Sequence, residues 1–184
     1  MIEMPNMLMI AGNSRNIGKT ALACAVIERF SAFQKIYGLK VTSIRPGEQG
    51  FHGIHDGLSE ELFSIMEEKD PSSRKDTSKM LTAGAEKAYY IRVADTEMPM
   101  AAKYLEGFLP ENEPVVCESR SLRKEVKPGL FVFLWADKVD SAKIDIEEYV
   151  RIADVVIRYI PGEGNTAKMA GKINLENNRW IYIN

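Results

Sequence analysis

Cysteine is scarce in this chain: Cys24 and Cys117 stand alone among 184 residues. Neither has neighbours at metal-ligand spacing, and no disulfide framework can be built from them. They read as small reduced core residues of a cytoplasmic protein. An excess of positive charge is also missing, with 24 Lys and Arg against 26 Asp and Glu. That near balance excludes a general nucleic-acid surface or an anionic-membrane surface, each of which needs clustered cations. No apolar run approaches the roughly 18 residues needed to cross a bilayer. The start of the chain lacks the basic residues and long apolar stretch of a secretory signal, so the expected location is the cytoplasm. Repeats, low-complexity tracts and an interior linker are absent too, which leads to the expectation of one domain spanning 1–184.

What is present is an alternation of short apolar runs and amphipathic segments. Strands are expected at Met7–Ala11, Ile36–Val41, Ala88–Val93, Pro114–Cys117, Gly129–Trp135 and Val155–Ile160. Glu61–Met66 reads as an edge strand and Trp180–Ile183 as a last one. Helical spacing is expected in Thr20–Phe33, Thr77–Ala85, Met98–Phe108 and Ile144–Ile152. Residues 43–58, with four glycines, a proline, His52 and His55, show no periodicity and read as a long loop. The two histidines lack a helix to give them ligand spacing, so a solvated loop or a flap is the reading there. Strands alternating with helices imply a three-layer α/β fold, with a mostly parallel sheet carrying helices on both faces. Ligands of such folds gather beyond the carboxyl ends of the strands. Those ends fall at Gly12, Thr42, Arg92, Glu118 and Asp137.

The first of these ends carries the strongest motif. Gly12, Asn13, Ser14, Arg15, Asn16, Ile17, Gly18, Lys19 and Thr20 lie between an expected strand and an expected helix. The phosphate-loop pattern is Gly, four residues, then Gly-Lys-Ser/Thr. Here five residues separate Gly12 from Gly18, so Asn13 holds the usual first-glycine position. The chemistry still fits a phosphate cradle. Gly18 lets backbone approach phosphate, the helix start offers N–H groups and a positive dipole end, and Lys19 can neutralise β and γ phosphates. The Thr20 hydroxyl can ligate Mg²⁺, which takes few protein ligands. The expected cofactors are therefore Mg²⁺ with GTP or ATP.

Three further residues belong to this reading. Glu118 follows a buried apolar strand, and beside the loop it could hold Mg²⁺ or orient water. Otherwise it is a solvated strand-end carboxylate. Lys40 interrupts an apolar strand; it either meets phosphate or a substrate anion, or reaches water from an edge strand. Arg15 reads as an exposed loop arginine, with a role toward a neighbouring subunit's nucleotide as the other reading. Asp137-Lys138-Val139-Asp140 is similar to the Asn-Lys-x-Asp guanine-reading motif, with Asp137 in place of asparagine. The pattern is short and built of common charged residues, so a charged loop is the favoured reading.

These segments together resemble the MobB family, the GTP-binding adaptors of molybdopterin-guanine dinucleotide biosynthesis. The resemblance rests on Gly12–Thr20, on Gly38-Leu39-Lys40, on Lys75-Asp76-Thr77 with Ala83-Gly84-Ala85, and on Val115-Val116-Cys117-Glu118. It covers about the first two-thirds of the chain. Ser14-Arg15-Asn16-Ile17 departs from that family's shorter loop, and Glu118 is followed by Ser119-Arg120-Ser121 rather than glycine. Ile17 before Gly18 is closer to dethiobiotin synthetase, an ATP-dependent ligase. Both resemblances imply Glu118 at the metal and Lys40 in the site. The first implies a weakly hydrolysing GTP-binding module with a protein partner in cofactor assembly, and a homodimer. The second implies an ATP-dependent ligase or small-metabolite kinase, whose second substrate would meet Lys40, Arg45, Glu118, Ser119 and Arg120.

Overall fold

The computed structural model describes residues 1–44, 63–137, 146–160 and 166–183. The expected loop 43–58 with Arg45, His52 and His55 lies mostly outside them, as do Lys138, Val139 and Asp140.

Nine strands and five α-helices are described. The strands are β1 (Ile2–Gly12), β2 (Tyr37–Ile44), β3 (Phe63–Glu68), β4 (Lys87–Ala94), β5 (Val115–Glu118), β6 (Val126–Trp135), β7 (Val155–Arg158), β8 (Ile173–Glu176) and β9 (Arg179–Tyr182). The helices are α1 (Lys19–Ser31), α2 (Asp76–Thr82), α3 (Met98–Phe108), α4 (Ile146–Arg151) and α5 (Thr166–Gly171). Seven strands form one sheet in the order β3-β4-β2-β5-β1-β6-β7. All its pairings are parallel except that of β3 with β4. The edge strand expected at Glu61–Met66 is this antiparallel strand, described over Phe63–Glu68.

The central strands are apolar on both faces because both are covered. Every residue of β5 is buried, and β1 is buried without a break from Met7 to Gly12. One core packs Leu39, Ile91, Cys117, Phe131 and Phe133 against α3 and α4. The other packs Leu8, Ile10, Val116 and Val132 against α1, α2 and α5. The architecture is thus a three-layer α/β sandwich of the P-loop kind, as the alternation of segments implies. The edge strand β7 alternates half-buried and exposed residues, and is less apolar for that reason.

The C-terminal part differs from the expectation. The run near Trp180 does not join the main sheet but pairs with β8 in a separate antiparallel hairpin. Asn177 and Asn178 have φ of 50° and 60°, the left-handed pair of a tight type I′ turn. Neither β8 nor α5 shows in the periodicity, since each is too short to complete a pattern. The hairpin packs through β9 on β1 and β6, beside the C-terminal end of α1, and α5 packs on α1 itself. Trp180 is 2% exposed and meets Phe30 edge-on at 5.5 Å, while its indole N–H donates to the Asn6 carbonyl at 2.9 Å. Arg29 of α1 donates to the carbonyls of Ala170 and Ile173. No helix among the described residues is long and apolar enough to cross a membrane.

Candidate functional site

Sheet order brings the sequence-derived residues together. β5 lies between β2 and β1, and the register aligns Lys40 with Glu118 and Glu118 with Ile10. Residues aligned across parallel strands point to one face. Ile10 faces α1, so Lys40 and Glu118 do as well. Lys40 therefore sits on a central strand, which removes the edge-strand explanation of its charge.

The loop after β1 is built tightly. Gly12 is a close approach: a Cβ there would stand 2.6 Å from Ile17 Cδ1 and 2.7 Å from the Leu134 carbonyl oxygen. Ile17 is 4% exposed and fills the core beneath the loop, so only its backbone faces outward chemistry. Asn13 explains the departure from glycine. Its amide donates to the Ala136 carbonyl at 2.7 Å and accepts from the Ala136 N–H at 2.9 Å. These two bonds tie the loop to the segment after β6. Asn16 has φ of 56° and Gly18 has φ of 81°, and Gly18 forms the N-cap of α1. Left-handed residues in a loop before a helix turn successive N–H groups toward one point, the backbone form of an anion nest. The Tyr159 ring borders Gly18, 3.1 Å from where a Cβ would lie. Arg15 and Asn16 are exposed, and Ser14 is buried.

Three cationic or hydroxyl groups converge on the mouth of this loop. The Lys19 ammonium donates to the Ser14 carbonyl at 2.6 Å, folded back over the loop. The Thr20 hydroxyl donates to Glu118 Oε2 at 2.6 Å, and the Lys40 ammonium donates to Glu118 Oε1 at 2.5 Å. Glu118 is only 3% exposed, so these bonds offset the cost of burying its charge. Lys40 also pairs with Asp76 Oδ2 at 3.2 Å, and Asp76 Oδ1 pairs with Lys79 at 3.1 Å. Burial works against the Lys40 ammonium, but the charge and hydrogen bond of Glu118, with Asp76 behind them, hold its pKa above the ordinary lysine value. Burial likewise works against the Asp76 anion, yet the Lys40 charge and the bonds from Lys79 and Lys40 hold its carboxyl below the ordinary range.

A hydroxyl and a carboxylate side by side at a helix start are hard oxygen donors that suit Mg²⁺. Among the described residues, no group of three or more His, Cys, Asp or Glu side chains could hold a metal ion alone. Thr20 and Glu118 are two oxygen donors, fewer than such an ion takes, so a cation held there would need further oxygens.

The remaining candidates separate from this cluster. Ser119 accepts the Leu122 N–H at 3.2 Å and so caps the 3-10 turn Ser121–Lys124. The Arg120 guanidinium lies 5.6 Å from the ring centroid of Tyr149, which belongs to the core on the other face of the sheet. Of the substrate cluster expected of Lys40, Arg45, Glu118, Ser119 and Arg120, Lys40 and Glu118 meet, Ser119 and Arg120 do not join Lys40, and Arg45 lies outside the described residues. Asp137 pairs with Arg158 at 2.6 Å on the exposed surface beyond β6. Burial disfavours both thiolates: it pushes the Cys24 thiol up to about 11 and raises Cys117 further. Asp76, which entered the sequence analysis only as part of Lys75-Asp76-Thr77, is the functional neighbour that sequence reasoning missed.

Comparison with protein-family models, with curated proteins and with solved structures gives no match to this chain.

Proposed function

We propose that this chain binds a purine nucleoside triphosphate as its Mg²⁺ complex at Gly12–Thr20. We further propose that it acts as a GTP-binding, slowly hydrolysing accessory protein of molybdenum-cofactor maturation, in the manner of the MobB family. The observation that carries the nucleotide reading is the Thr20–Glu118 contact at 2.6 Å beside the left-handed Gly18. The pathway rests on the segments that resemble that family.

In this reading, the N–H groups at the start of α1 receive the phosphate oxygens. Lys19 leaves the Ser14 carbonyl and neutralises the β and γ phosphates. Thr20 and Glu118 hold the metal, and bound Mg²⁺ supplies charge neutralisation at the phosphates. Asn13 keeps the loop in its binding shape without touching the ligand. Lys40 stands at the γ-phosphate side, where it meets either that phosphate or a second anion. A protein partner and a homodimer belong to the adaptor reading; nucleic acid and membrane do not.

One observation favours a second reading, an ATP-dependent ligase or small-metabolite kinase. The Lys40–Asp76–Lys79 array beside Glu118 is the polar cluster that a second substrate would need. The test is thermal unfolding with each triphosphate and Mg²⁺. Ligand at a hundred times its Kd stabilises by about 2.7 kcal/mol, which corresponds to a rise in Tm of roughly 5–10 °C for a chain of this size. A larger rise with GTP than with ATP, and slow release of phosphate without an added substrate, favours the adaptor. The reverse preference, with ATP consumed only when a small acid or amine is supplied, favours the ligase. No rise with either triphosphate overturns both.

A further inference from the structure

Glu118 has both carboxylate oxygens occupied: Oε2 by the Thr20 hydroxyl and Oε1 by the Lys40 ammonium. In the absence of a divalent cation this arrangement neutralises an acid that is almost wholly buried. It also means that a metal arriving at Thr20 and Glu118 meets a lysine already on the same carboxylate. Two cations on one buried carboxylate repel each other, and the repulsion is strong where solvent is excluded. The Lys40 side chain is 20% exposed, so its ammonium needs a partner wherever it goes.

A second acceptor is in place. Asp76 Oδ2 stands 3.2 Å from Lys40 Nζ, and Asp76 Oδ1 is fixed by Lys79 at 3.1 Å. α2 itself is pinned above β2. Met80 packs so closely on Gly38 that a Cβ there would lie 3.0 Å from the Met80 sulfur, and Thr77 donates to Glu68 Oε2 of the edge strand at 3.0 Å. Asp76 is therefore a fixed anion, while Lys40 is a flexible four-carbon stem between two carboxylates.

We propose that Asp76 is a positioning residue for the Thr20–Glu118 cation site, taking over the Lys40 ammonium when a divalent cation takes Glu118. This inference rests on the nucleotide-binding reading above. It makes metal loading an exchange of partners: Glu118 trades ammonium for metal, and Lys40, already shared between the two carboxylates, keeps Asp76 alone. The charge on Asp76 then acts on metal binding through Lys40, without Asp76 touching the metal.

The test is calorimetric titration of GTP and of ATP into wild type, Asp76→Asn, Lys40→Met and the double variant, each with Mg²⁺ and with EDTA. In wild type, Mg²⁺ tightens nucleotide binding. Asp76→Asn cuts that gain about tenfold, the size of one lost charge-assisted bond, and leaves binding in EDTA unchanged within about twofold. Asp76→Glu restores the gain. In the Lys40→Met background, Asp76→Asn has no further effect, because the ammonium it serves is gone. A gain unaffected by Asp76→Asn overturns the proposal, as does an equal loss with and without Mg²⁺, which would mark a merely structural residue. A loss that persists in the Lys40→Met background overturns it too, since Asp76 would then act on the metal itself. Where a variant fails to fold, the wild type decides: the amide resonances of Asp76 and Thr77 shift with nucleotide and Mg²⁺ but not with nucleotide in EDTA, and their failure to do so counts against the exchange. No Mg²⁺-dependent binding by wild type would overturn the nucleotide reading itself, whereas wild-type binding with a silent Asp76→Asn would overturn the exchange alone.

Discussion

Two corners of the molecule lean on α1 and are held by opposite means. At its N-terminal end, polar and charged groups are buried together: Asn13, Ser14, Glu118 and Ser119 are all nearly inaccessible. At its other end α5 and the β8–β9 hairpin bring Met169, Ile173 and Trp180 into one core with Phe30 and Ile27, and Arg29 answers the Ala170 and Ile173 carbonyls. The second arrangement is the cheap one, since apolar burial needs no partners. The first carries desolvation costs that only complete pairing offsets. In the proposed reading the first corner serves binding rather than stability, and the two corners should respond differently to substitution.

The largest effect is expected at the hairpin. Trp180→Ala should cost about 3–5 kcal/mol by denaturant unfolding, as for other large buried aromatics. Nucleotide affinity measured on the folded fraction should be unchanged. Lys19→Ala should do the opposite, weakening nucleotide binding about a hundredfold, or about 2.7 kcal/mol. Its ligand-free stability should stay within about 0.5 kcal/mol of wild type, because Lys19 lies half-buried at the rim of the loop rather than in the core. Asn13→Ala tests the boundary between the corners. It leaves the Ala136 N–H and carbonyl without partners in a buried place, and should cost about 1–3 kcal/mol by chemical denaturation.

The smallest effect is a pH dependence. The Asp76 carboxyl is held below its ordinary value, so it contributes stability above the unfolded-state value and loses it as pH falls through the folded one. The stability difference between wild type and Asp76→Asn should therefore be present at neutral pH and shrink as acid protonates Asp76. Parallel unfolding curves at pH 7 and below about 4 check the sign. A difference that grows in acid would contradict the pairing with Lys40.

Much of the polar corner at the start of α1 was legible in the sequence because its pattern is local. A phosphate loop must run strand, loop, helix without interruption, and Gly12–Thr20 does. Lys40 and Glu118 were legible as charges in or at the end of otherwise apolar strands. Their mutual contact was not, since it depends on β5 inserting between β2 and β1, which no local pattern encodes. Ser119 and Arg120 misled because adjacency to Glu118 along the chain is not adjacency in space: the chain turns into a 3-10 segment and carries Arg120 to the other face. Asp76 entered only within the Lys75-Asp76-Thr77 segment, and its place beside Lys40 arises from the close seating of α2 on Gly38. The hairpin was half seen. Its turn is Asn-Asn rather than the stronger Asn-Gly signal, and its strands span only four residues each.

The most direct measurement is calorimetric titration of GTP and ATP with Mg²⁺ into wild type and into Lys19→Ala. The account predicts saturable binding of at least one triphosphate by wild type, tightened by Mg²⁺, and its loss in Lys19→Ala with the fold intact. Binding that survives unchanged in Lys19→Ala, or no binding of either triphosphate by wild type, would contradict it.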